Sequence, residues 1–587
     1  MVDFPHNFDT QTKENILDWL EGPFPAAIKD NILKQLANHP HKVQDAFYSR
    51  LAFGTGGVRA LMGIGSNRLN IYTIQLITQG LVNFLFKTFP NTQLKVFISF
   101  DSRNHSNEFA KMTAQVFAAN HVDVFITKEL RPTPFVSFGI RENKCHAGVM
   151  ITASHNPKEY NGYKVYFQDG AQLVPPYDQQ VVDEINAIAS LGAVKTEIKD
   201  HSLIHEVTDE LDLLYLKQTQ DLQLNKKTNE KEGHLLKVLY SPIHGAGITL
   251  VPKLLKNWGF TQFDTVFEQS TPDGNFPTAE KPNPESKKTL EIGKDRMLKD
   301  QFDLFIATDP DADRIGVVIN HHGQSVFLNG NEMASIFLEA ILSSYQARDL
   351  LNYTSCCIKS IVTTELFKAI CDHYKVECME VLTGFKYIGE KINQFEKNQD
   401  HQFIFGAEES YGCLYGTHVR DKDAILATGL VCDIALQLKL QNKTLFDLLH
   451  EIYAKHGVYR EHLETIEFAP GKQGHDEILN LLKKLRACHP KHLGHKKILA
   501  IEDYLTQQKF TVDTQESVPL LLPASNVILY RLENAGKVVV RASGTEPKLK
   551  IYLGIKAKQQ GSIEDQIKKA DITLQALSKS LKAYLNT

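Results

Sequence analysis

Four short segments carry side chains that can do chemistry, and each adjoins an apolar run of strand length. The first, Thr152-Ala-Ser-His-Asn-Pro157, follows the run 148–151 and sets Ser154 beside His155 on a tight, proline-terminated turn. A serine so placed is an exposed nucleophile, although a Ser/Asn-rich β-turn closed by proline reads the same six residues without chemistry. Lys164 follows in Asn161-Gly-Tyr-Lys-Val165, where the glycine allows a turn and the lysine can reach a phosphate or trade a proton. An isolated lysine is more often a solvated surface charge.

The second segment is Asp309-Pro-Asp-Ala-Asp-Arg314, after the run 302–307. Carboxylates at alternate positions of an extended loop converge hard oxygen ligands on one point, which suits Mg2+. Without a cation, like-charge repulsion raises at least one of their pKa values. The third is Gly406-Ala-Glu-Glu-Ser-Tyr-Gly412, after Phe403-Ile-Phe405. Its carboxylates and serine can hold sugar hydroxyls; acid–base catalysis and a capped helix start are equally permitted. The fourth, Arg541-Ala-Ser-Gly-Thr-Glu-Pro547 with Lys548 and Lys550 beyond it, combines arginine, hydroxyls and turning backbone N–H groups into a cradle for a phosphate dianion, whether or not it is also a hairpin turn.

Such loops need elements to aim them. Asn70 is a plausible N-cap before Ile74, Ile77, Leu81 and Leu85 at helical spacing, and Val96–Phe100 reads as a buried strand ending at Asp101. A helix over 106–120 and strands over 122–126 and 149–151 continue an alternation that predicts a mostly parallel α/β sheet. The pattern recurs, with strands at 236–240, 264–267 and 303–307 around helices at 247–258 and 285–298, and again between 331 and 439, with strands at 357–362, 380–382 and 403–405. The last 130 residues differ: strands at 527–532, 537–541 and 549–555 and a helix over 563–584 predict an antiparallel α+β module. The polar stretches 195–209 and 225–233 are boundary or insertion candidates. Four domains are expected, at 1–210, 211–322, 323–455 and 456–587, and 587 residues are too many for one core.

Composition narrows the class. Lys and Arg number 65 against 69 Asp and Glu, a net charge of −4 that recommends neither a nucleic-acid nor a membrane-surface partner. Eight cysteines without a C-x-x-C pair read as reduced core thiols. The N-terminus lacks a signal-peptide pattern and no run approaches 18 apolar residues, so a soluble cytoplasmic protein is expected.

In their order along the chain, T-A-S-H-N-P, D-P-D-A-D-R, G-A-E-E-S-Y-G and R-A-S-G-T-E-P resemble the phosphoserine, metal, sugar and phosphate loops of the α-D-phosphohexomutase superfamily. Supporting matches are Phe53-Gly-Thr-Gly-Gly-Val-Arg59, Ser241-Pro-Ile-His-Gly245, Pro272-Asp-Gly-Asn-Phe-Pro277 and Thr383-Gly-Phe-Lys-Tyr-Ile-Gly389. Asn161-Gly-Tyr-Lys-Val-Tyr166, Asp169-Gly-Ala-Gln-Leu173 and Arg420-Asp-Lys-Asp-Ala424 resemble its phosphoglucomutase-2 and phosphopentomutase branch.

The resemblance implies four domains around a central cleft, three related mixed α/β domains and a smaller α+β domain. It implies a phosphoryl group on Ser154 and Mg2+ held by Asp309, Asp311, Asp313 and an oxygen of that phosphate, with Arg314 neutralising charge. Arg59, His155 and Lys164 would assist proton movement, the choice of acid and base being open. Lys386, Glu408 and Ser410 would grip the sugar; Arg541, Ser543, Gly544, Thr545 and Lys550 would hold the phosphate that is not reacting. Lys550 departs from the arginine of many relatives. The implied reaction interconverts a sugar 1-phosphate and a sugar 6-phosphate through a bisphosphorylated sugar, with a sugar 1,6-bisphosphate as the activator that primes Ser154. Glucose and ribose phosphates, and bisphosphate synthesis, remain open among substrates and outcomes, as does the oligomeric state. Two rivals differ in kind: a haloacid-dehalogenase-like phosphatase with Asp309 as nucleophile, which leaves the serine and arginine loops unexplained, and a sugar-phosphate-binding paralogue without catalysis.

Overall fold

The computed structural model describes residues 4–51, 53, 54, 56–469, 472–487, 490–542 and 548–586. The chain divides into two units, Met1–Phe327 with Gly389–Lys397 and Gly412–Leu436, and Leu328–Ile388 with Asn398–Tyr411 and Gln437–Thr587.

In the first unit, Asn70 caps the helix Ile71–Thr88 by accepting from Tyr72 N and Thr73 N, while the Thr73 hydroxyl oxygen accepts from Asn70 N. This reciprocal cap satisfies donors that a helix start leaves orphaned. The helix packs Ile74, Ile77, Leu81 and Leu85 into a core shared with the strands below it. Those strands are β1 (Gly57–Leu61), β2 (Lys95–Phe100), β3 (Asp123–Thr127), β4 (Ala147–Ile151), β5 (Tyr160–Phe167) and β6 (Ile204–Val207), in the order β1-β5-β4-β2-β3-β6. Neighbours from β4 to β6 in that order are parallel; β5 runs antiparallel to both β1 and β4. The sheet is therefore more mixed than the alternation suggests, because a buried apolar run such as β5 does not record strand direction. The stretch 195–209 is not a linker throughout, since β6 pairs with β3 as a sheet edge.

A second sheet holds β7 (Val238–Ser241), β8 (Phe263–Thr265), β9 (Leu304–Thr308), β10 (Ile315–His321) and β11 (Gln324–Leu328), in the order β11-β10-β9-β7-β8. Here β9-β7-β8 are parallel and β10 is antiparallel to β9. The expected helix over 247–258 is broken: Ala246–Thr249 is a single 3-10 turn and the helix proper is Val251–Asn257, with Pro252 in its first turn. Helices Thr10–Glu21, Ala26–Asn38 and Pro40–Phe47, absent from the sequence reading, pack around Trp19 and Phe47, and Phe24 stacks on Trp19 at 4.3 Å.

The second unit carries β12 (Ser355–Ser360), β13 (Glu377–Val381) and β14 (Gln402–Glu408), parallel in the order β13-β12-β14. The next strand in sequence, β15 (Gly412–Tyr415), belongs to the first unit. The parallel triplets β4-β2-β3, β9-β7-β8 and β14-β12-β13 share one permutation. The three modules are thus copies of one topology, and in each a chemical loop leaves the end of the equivalent strand: β4 before Ser154, β9 before Asp309, β14 at Glu408. The carboxyl ends of parallel strands are where such sheets bind ligands.

The remaining strands form an antiparallel sheet, β16 (Tyr459–Glu467), β17 (His492–Leu493), β18 (Lys496–Asp503), β19 (Gln508–Thr511), β20 (Glu516–Pro519), β21 (Val527–Leu532), β22 (Gly536–Ala542) and β23 (Lys548–Lys556). Helices Lys472–Ala487 and Ile563–Asn586 cover its apolar face. The segment 486–525, without a role in the sequence, supplies β17 to β20. Among the described residues seven cysteines are free thiols, six of them buried, and no helix is long and apolar enough to cross a membrane.

Candidate active site

Ser154 leaves β4 with its side chain buried and its backbone at a φ of 53°. Its hydroxyl donates to Asp309 Oδ2 at 2.8 Å, and Oγ lies 3.1 Å from His155 Nδ1. The serine and aspartate loops, 155 residues apart, therefore meet at one point.

Asp309, Asp311 and Asp313 are buried, and one carboxylate oxygen of each lies within 4.8 Å of the others. Ala312, at a φ of 49°, turns the loop back on itself, and Asp313 N and Arg314 N both donate to Asp309 Oδ1 at 3.1 Å. The Ser241–Gly245 motif supports the loop from behind. Ala246 N donates to Pro310 O at 2.7 Å, and a Cβ on Gly245 would stand 2.3 Å from Pro310 Cα, so only glycine fits.

Lys164 projects from β5 and donates to Asp311 Oδ2 at 2.7 Å and Asp313 Oδ2 at 3.1 Å. Gly162 in that strand makes no turn. Its hydrogen position is filled by neighbouring backbone, since a Cβ would lie 2.4 Å from Thr152 O and 2.6 Å from Val58 O. The glycine lets β1 and the serine loop close on β5.

Two residues outside the sequence-read site complete the surroundings. Thr133 donates its hydroxyl to Asp311 Oδ2 at 2.7 Å, and Lys422 Nζ lies 3.2 Å from Asp313 Oδ2 and 2.8 Å from Asp421 Oδ1. Lys422 stands in Arg420-Asp-Lys-Asp-Ala424, a segment legible in the sequence only as a branch marker. A third is Arg103, just beyond the end of β2, which binds the serine loop; the signal that could have found it is Asp101-Ser-Arg103 after an apolar strand.

The electrostatics fit a cation. Burial first, then the charges of Asp311 and Asp313, push the Asp309 carboxyl well above the usual carboxylate range. Burial opposes ionisation of Asp313 too, but Lys164, Lys422 and Arg314 hold it below that range. Three buried carboxylates do not all ionise beside two ammonium groups. Asp311 Oδ1 and Asp313 Oδ1 are buried and accept no hydrogen bond among the described residues, with Arg314 Nε 3.8 Å from the latter, which leaves hard oxygen lone pairs at the cluster. This donor set suits Mg2+.

Burial, then the neighbouring Arg314 and Arg59, drive His155 well below its ordinary pKa, so the imidazole beside Ser154 is neutral at pH 7. Lys164 is held above its ordinary value, because Asp311 and Asp313 outweigh its burial, and it is an ammonium. Arg59 Nη1 donates to Asn156 Oδ1 at 3.4 Å, and Arg314 Nη1 donates to Glu285 Oε1 at 2.9 Å. All eight residues read as catalytic or metal-binding are thereby gathered in the first unit.

Of the residues expected to hold sugar and phosphate, Lys386, Glu408, Ser410, Arg541 and Lys550 lie in the second. Glu408 ends β14 and accepts from Gly384 N at 2.8 Å, joining its loop to Thr383–Gly389. The chain after it turns at Glu409–Tyr411 into β15, so no helix starts there. Ser410 lies in that turn, and Lys386 Nζ sits 5.0 Å from the Tyr387 ring centroid. Arg541 and Lys550 are register partners on β22 and β23. Burial raises the phenol of Tyr552, on which the charges of Glu409, Arg541 and Glu408 also act. Ser543, Gly544 and Thr545 lie outside the described residues.

Four domain descriptions of one family match along the chain: phosphoglucomutase/phosphomannomutase alpha/beta/alpha domain I at residues 50–191, domain II at 214–323, domain III at 329–456 and the C-terminal domain at 497–569. A phosphoglucomutase of Staphylococcus aureus (strain bovine RF122 / ET3-1) is 36% identical over 552 residues, covering 92% of this chain and 96% of its own. One of Staphylococcus epidermidis is 34% identical, covering 94% and 99%. The fold is shared with a putative phosphomannomutase of Thermus thermophilus (TM-score 0.67, 20% identity, covering 92% of this chain and 100% of that one). It is also shared with the open form of the parafusin phosphoglucomutase of Paramecium (TM-score 0.66, 16% identity, covering 91% and 95%).

Proposed function

Because the chain belongs to the phosphoglucomutase/phosphomannomutase family, we propose that this phosphosugar mutase interconverts glucose 1-phosphate and glucose 6-phosphate with Ser154 as phosphoryl carrier. The observation that carries the reading is Ser154 Oγ, 2.8 Å from Asp309 Oδ2 in a buried cluster of three carboxylates. Mg2+ would be held by Asp309, Asp311, Asp313 and the group on Ser154, and when bound it supplies positive charge beside the transferring phosphoryl. The chain's own residues do the rest. Neutral His155 takes the Ser154 Oγ proton as the serine accepts a phosphoryl and, as the imidazolium so formed, gives it back when the phosphoryl leaves; Lys164 stands as an ammonium beside Asp311 and Asp313 to neutralise charge or donate a proton.

Arg59 and Arg314 add charge around His155. Lys386, Glu408 and Ser410 would hold sugar hydroxyls, and Arg541, Lys550 and the loop 543–545 the distal phosphate. A sugar 1,6-bisphosphate would prime Ser154. The phosphatase alternative is disfavoured because it gives no role to Ser154, whose Oγ meets Asp309 Oδ2 at 2.8 Å, or to the arginine loop. Buried free thiols fit the reducing cytoplasm.

The test is a side-by-side assay of glucose 1-phosphate, mannose 1-phosphate and ribose 1-phosphate with the matching bisphosphate, with and without chelator, on wild type and Ser154→Ala. Glucose 1-phosphate turnover that needs metal and vanishes in the variant is expected. Preference for ribose 1-phosphate would overturn the substrate, and wild-type turnover by Ser154→Ala would overturn the mechanism.

A further inference from the structure

The conformation of Ser154 has to be held by something. A φ of 53° is left-handed backbone, which costs a residue with a Cβ about 1–3 kcal/mol and persists only where surroundings over-determine it. Three buried side chains, none of them in the implied catalytic set, converge on this peptide: Thr152, Asp101 and Arg103.

Thr152 works through one hydroxyl. Its Oγ1 accepts from Ser154 N at 2.8 Å and donates its own proton to Asp101 Oδ2 at 2.6 Å. Asp101 stands at the end of β2, the parallel neighbour of β4, so both strand ends open at the same edge. Its Oδ1 accepts from Arg103 N at 2.9 Å and from the Ser106 hydroxyl at 2.8 Å, and its Oδ2 lies 3.4 Å from Arg103 Nε.

Arg103 closes the clamp. Nη2 donates to Ser154 O at 2.5 Å and also to Asn156 O; Nη1 donates to Pro157 O at 2.9 Å and Tyr160 O at 3.0 Å. One guanidinium thereby spans the carbonyls of the serine loop from its nucleophile to the start of β5. The fork of five N–H donors, with no acceptor, makes this possible; an ammonium with three donors from one atom cannot reach four divergent carbonyls. The peptide on each side of Ser154 Cα is therefore fixed, N–H by Thr152 and C=O by Arg103, and the one freedom left to Ser154 is χ1.

We propose that Arg103, oriented by Asp101 and acting with Thr152, is a positioning residue that locks the Ser154 backbone so that Oγ aims at the aspartate cluster. The inference rests on the reading of Ser154 as phosphoryl carrier. A serine that serves both ends of the sugar has to return to one orientation in each half-reaction, and misplacing a reacting atom by about 1 Å costs on the order of 100-fold in rate. The clamp should appear in kcat and in transfer to Ser154, with little change in KM, because it touches no substrate.

The test compares Thr152→Val, Thr152→Ser and Arg103→Lys with wild type in full-length protein with Mg2+. Single-turnover transfer from 32P-labelled glucose 1,6-bisphosphate to Ser154 is followed together with steady-state kcat and KM. Valine matches threonine in shape but leaves Ser154 N and Asp101 Oδ2 without that partner, so thermal midpoints are read alongside, and Thr152→Val against Thr152→Ser decides the question even if Arg103→Lys fails to fold. The expected result is a loss of about 10- to 100-fold in both transfer and kcat for Thr152→Val, KM within about 2-fold, and recovery of most of the rate in Thr152→Ser, which keeps the hydroxyl. Transfer and kcat within about 2-fold of wild type in Thr152→Val overturn the clamp, and so does a loss confined to KM or one shared equally by Thr152→Ser. Failure of wild type itself to label Ser154 would overturn the carrier reading instead.

Discussion

Lys164→Met separates two roles of one side chain. Lys164 is the buried countercharge of Asp311 and Asp313, at 2.7 and 3.1 Å. Methionine keeps most of the stem and its packing but removes the charge. Taking one partner from a buried ion pair typically costs about 3–5 kcal/mol, because the other charge stays buried and unpaired. In chelator the variant should therefore unfold at distinctly lower urea than wild type. The same deletion should tighten Mg2+ binding. Two unit charges about 4 Å apart repel by up to about 4 kcal/mol at an effective dielectric of 20, and even a third of that is about tenfold in Kd. Mg2+ at a hundredfold over its Kd then returns about 2.7 kcal/mol of stability. Calorimetric titration with Mg2+ and urea unfolding with and without chelator measure both effects, while kcat should fall by about 100-fold or more through loss of a proton donor or charge-neutralising group. Equal or weaker Mg2+ affinity in the variant would refute the view that lysine and cation share these carboxylates.

Two other substitutions probe the scaffold. Gly162→Ala forces a methyl to within 2.4 Å of Thr152 O, so a lower thermal midpoint, by overpacking of about 1–3 kcal/mol, and a slower kcat are expected; an unchanged midpoint would show that β1 and the serine loop can part. Glu461, which accepts a hydrogen bond from Thr364, is pushed by burial to a pKa of about 7. A carboxyl whose folded pKa is raised holds its proton through folding at low pH and is penalised as pH rises from about 4.5 through 7, so Glu461→Gln should stabilise by a few kcal/mol at pH 8 and hardly at all near pH 4. Urea unfolding across that range checks the slope, and a pH-independent difference would contradict it.

The placement of the candidate site was legible where side chains of unusual type follow an apolar run. Ser154 and the three aspartates sit at strand ends in the sequence and at strand ends in the fold. Cooperation at a distance was not legible. Asp101-Ser-Arg103 reads as a polar turn until β2 and β4 pair and bring its guanidinium onto four carbonyls 51 to 57 residues away. Gly162 reads as a turn glycine because a sequence records the absence of a side chain and not the backbone that fills its place. The polar stretch 225–233 looks like an insertion, yet it contains the helix Lys226–Glu232 with Asn229 buried, and Asp433 accepts from Leu224 N and Asn225 N just before it. The expected helix 247–258 failed at Pro252, which starts a helix more readily than it continues one. The repeat of three modules was suggested by alternation, but their common strand permutation became visible only in the pairing.

The most direct measurement is the site and chemistry of the phosphoryl group itself. The protein is incubated with 32P-labelled glucose 1,6-bisphosphate and Mg2+, quenched in acid, digested and mapped. Acid-stable label on the peptide containing Ser154, formed and discharged as fast as the enzyme turns over, is the predicted result. Hydroxylamine-cleavable acyl phosphate on Asp309, or turnover with Ser154 unlabelled, would contradict the account.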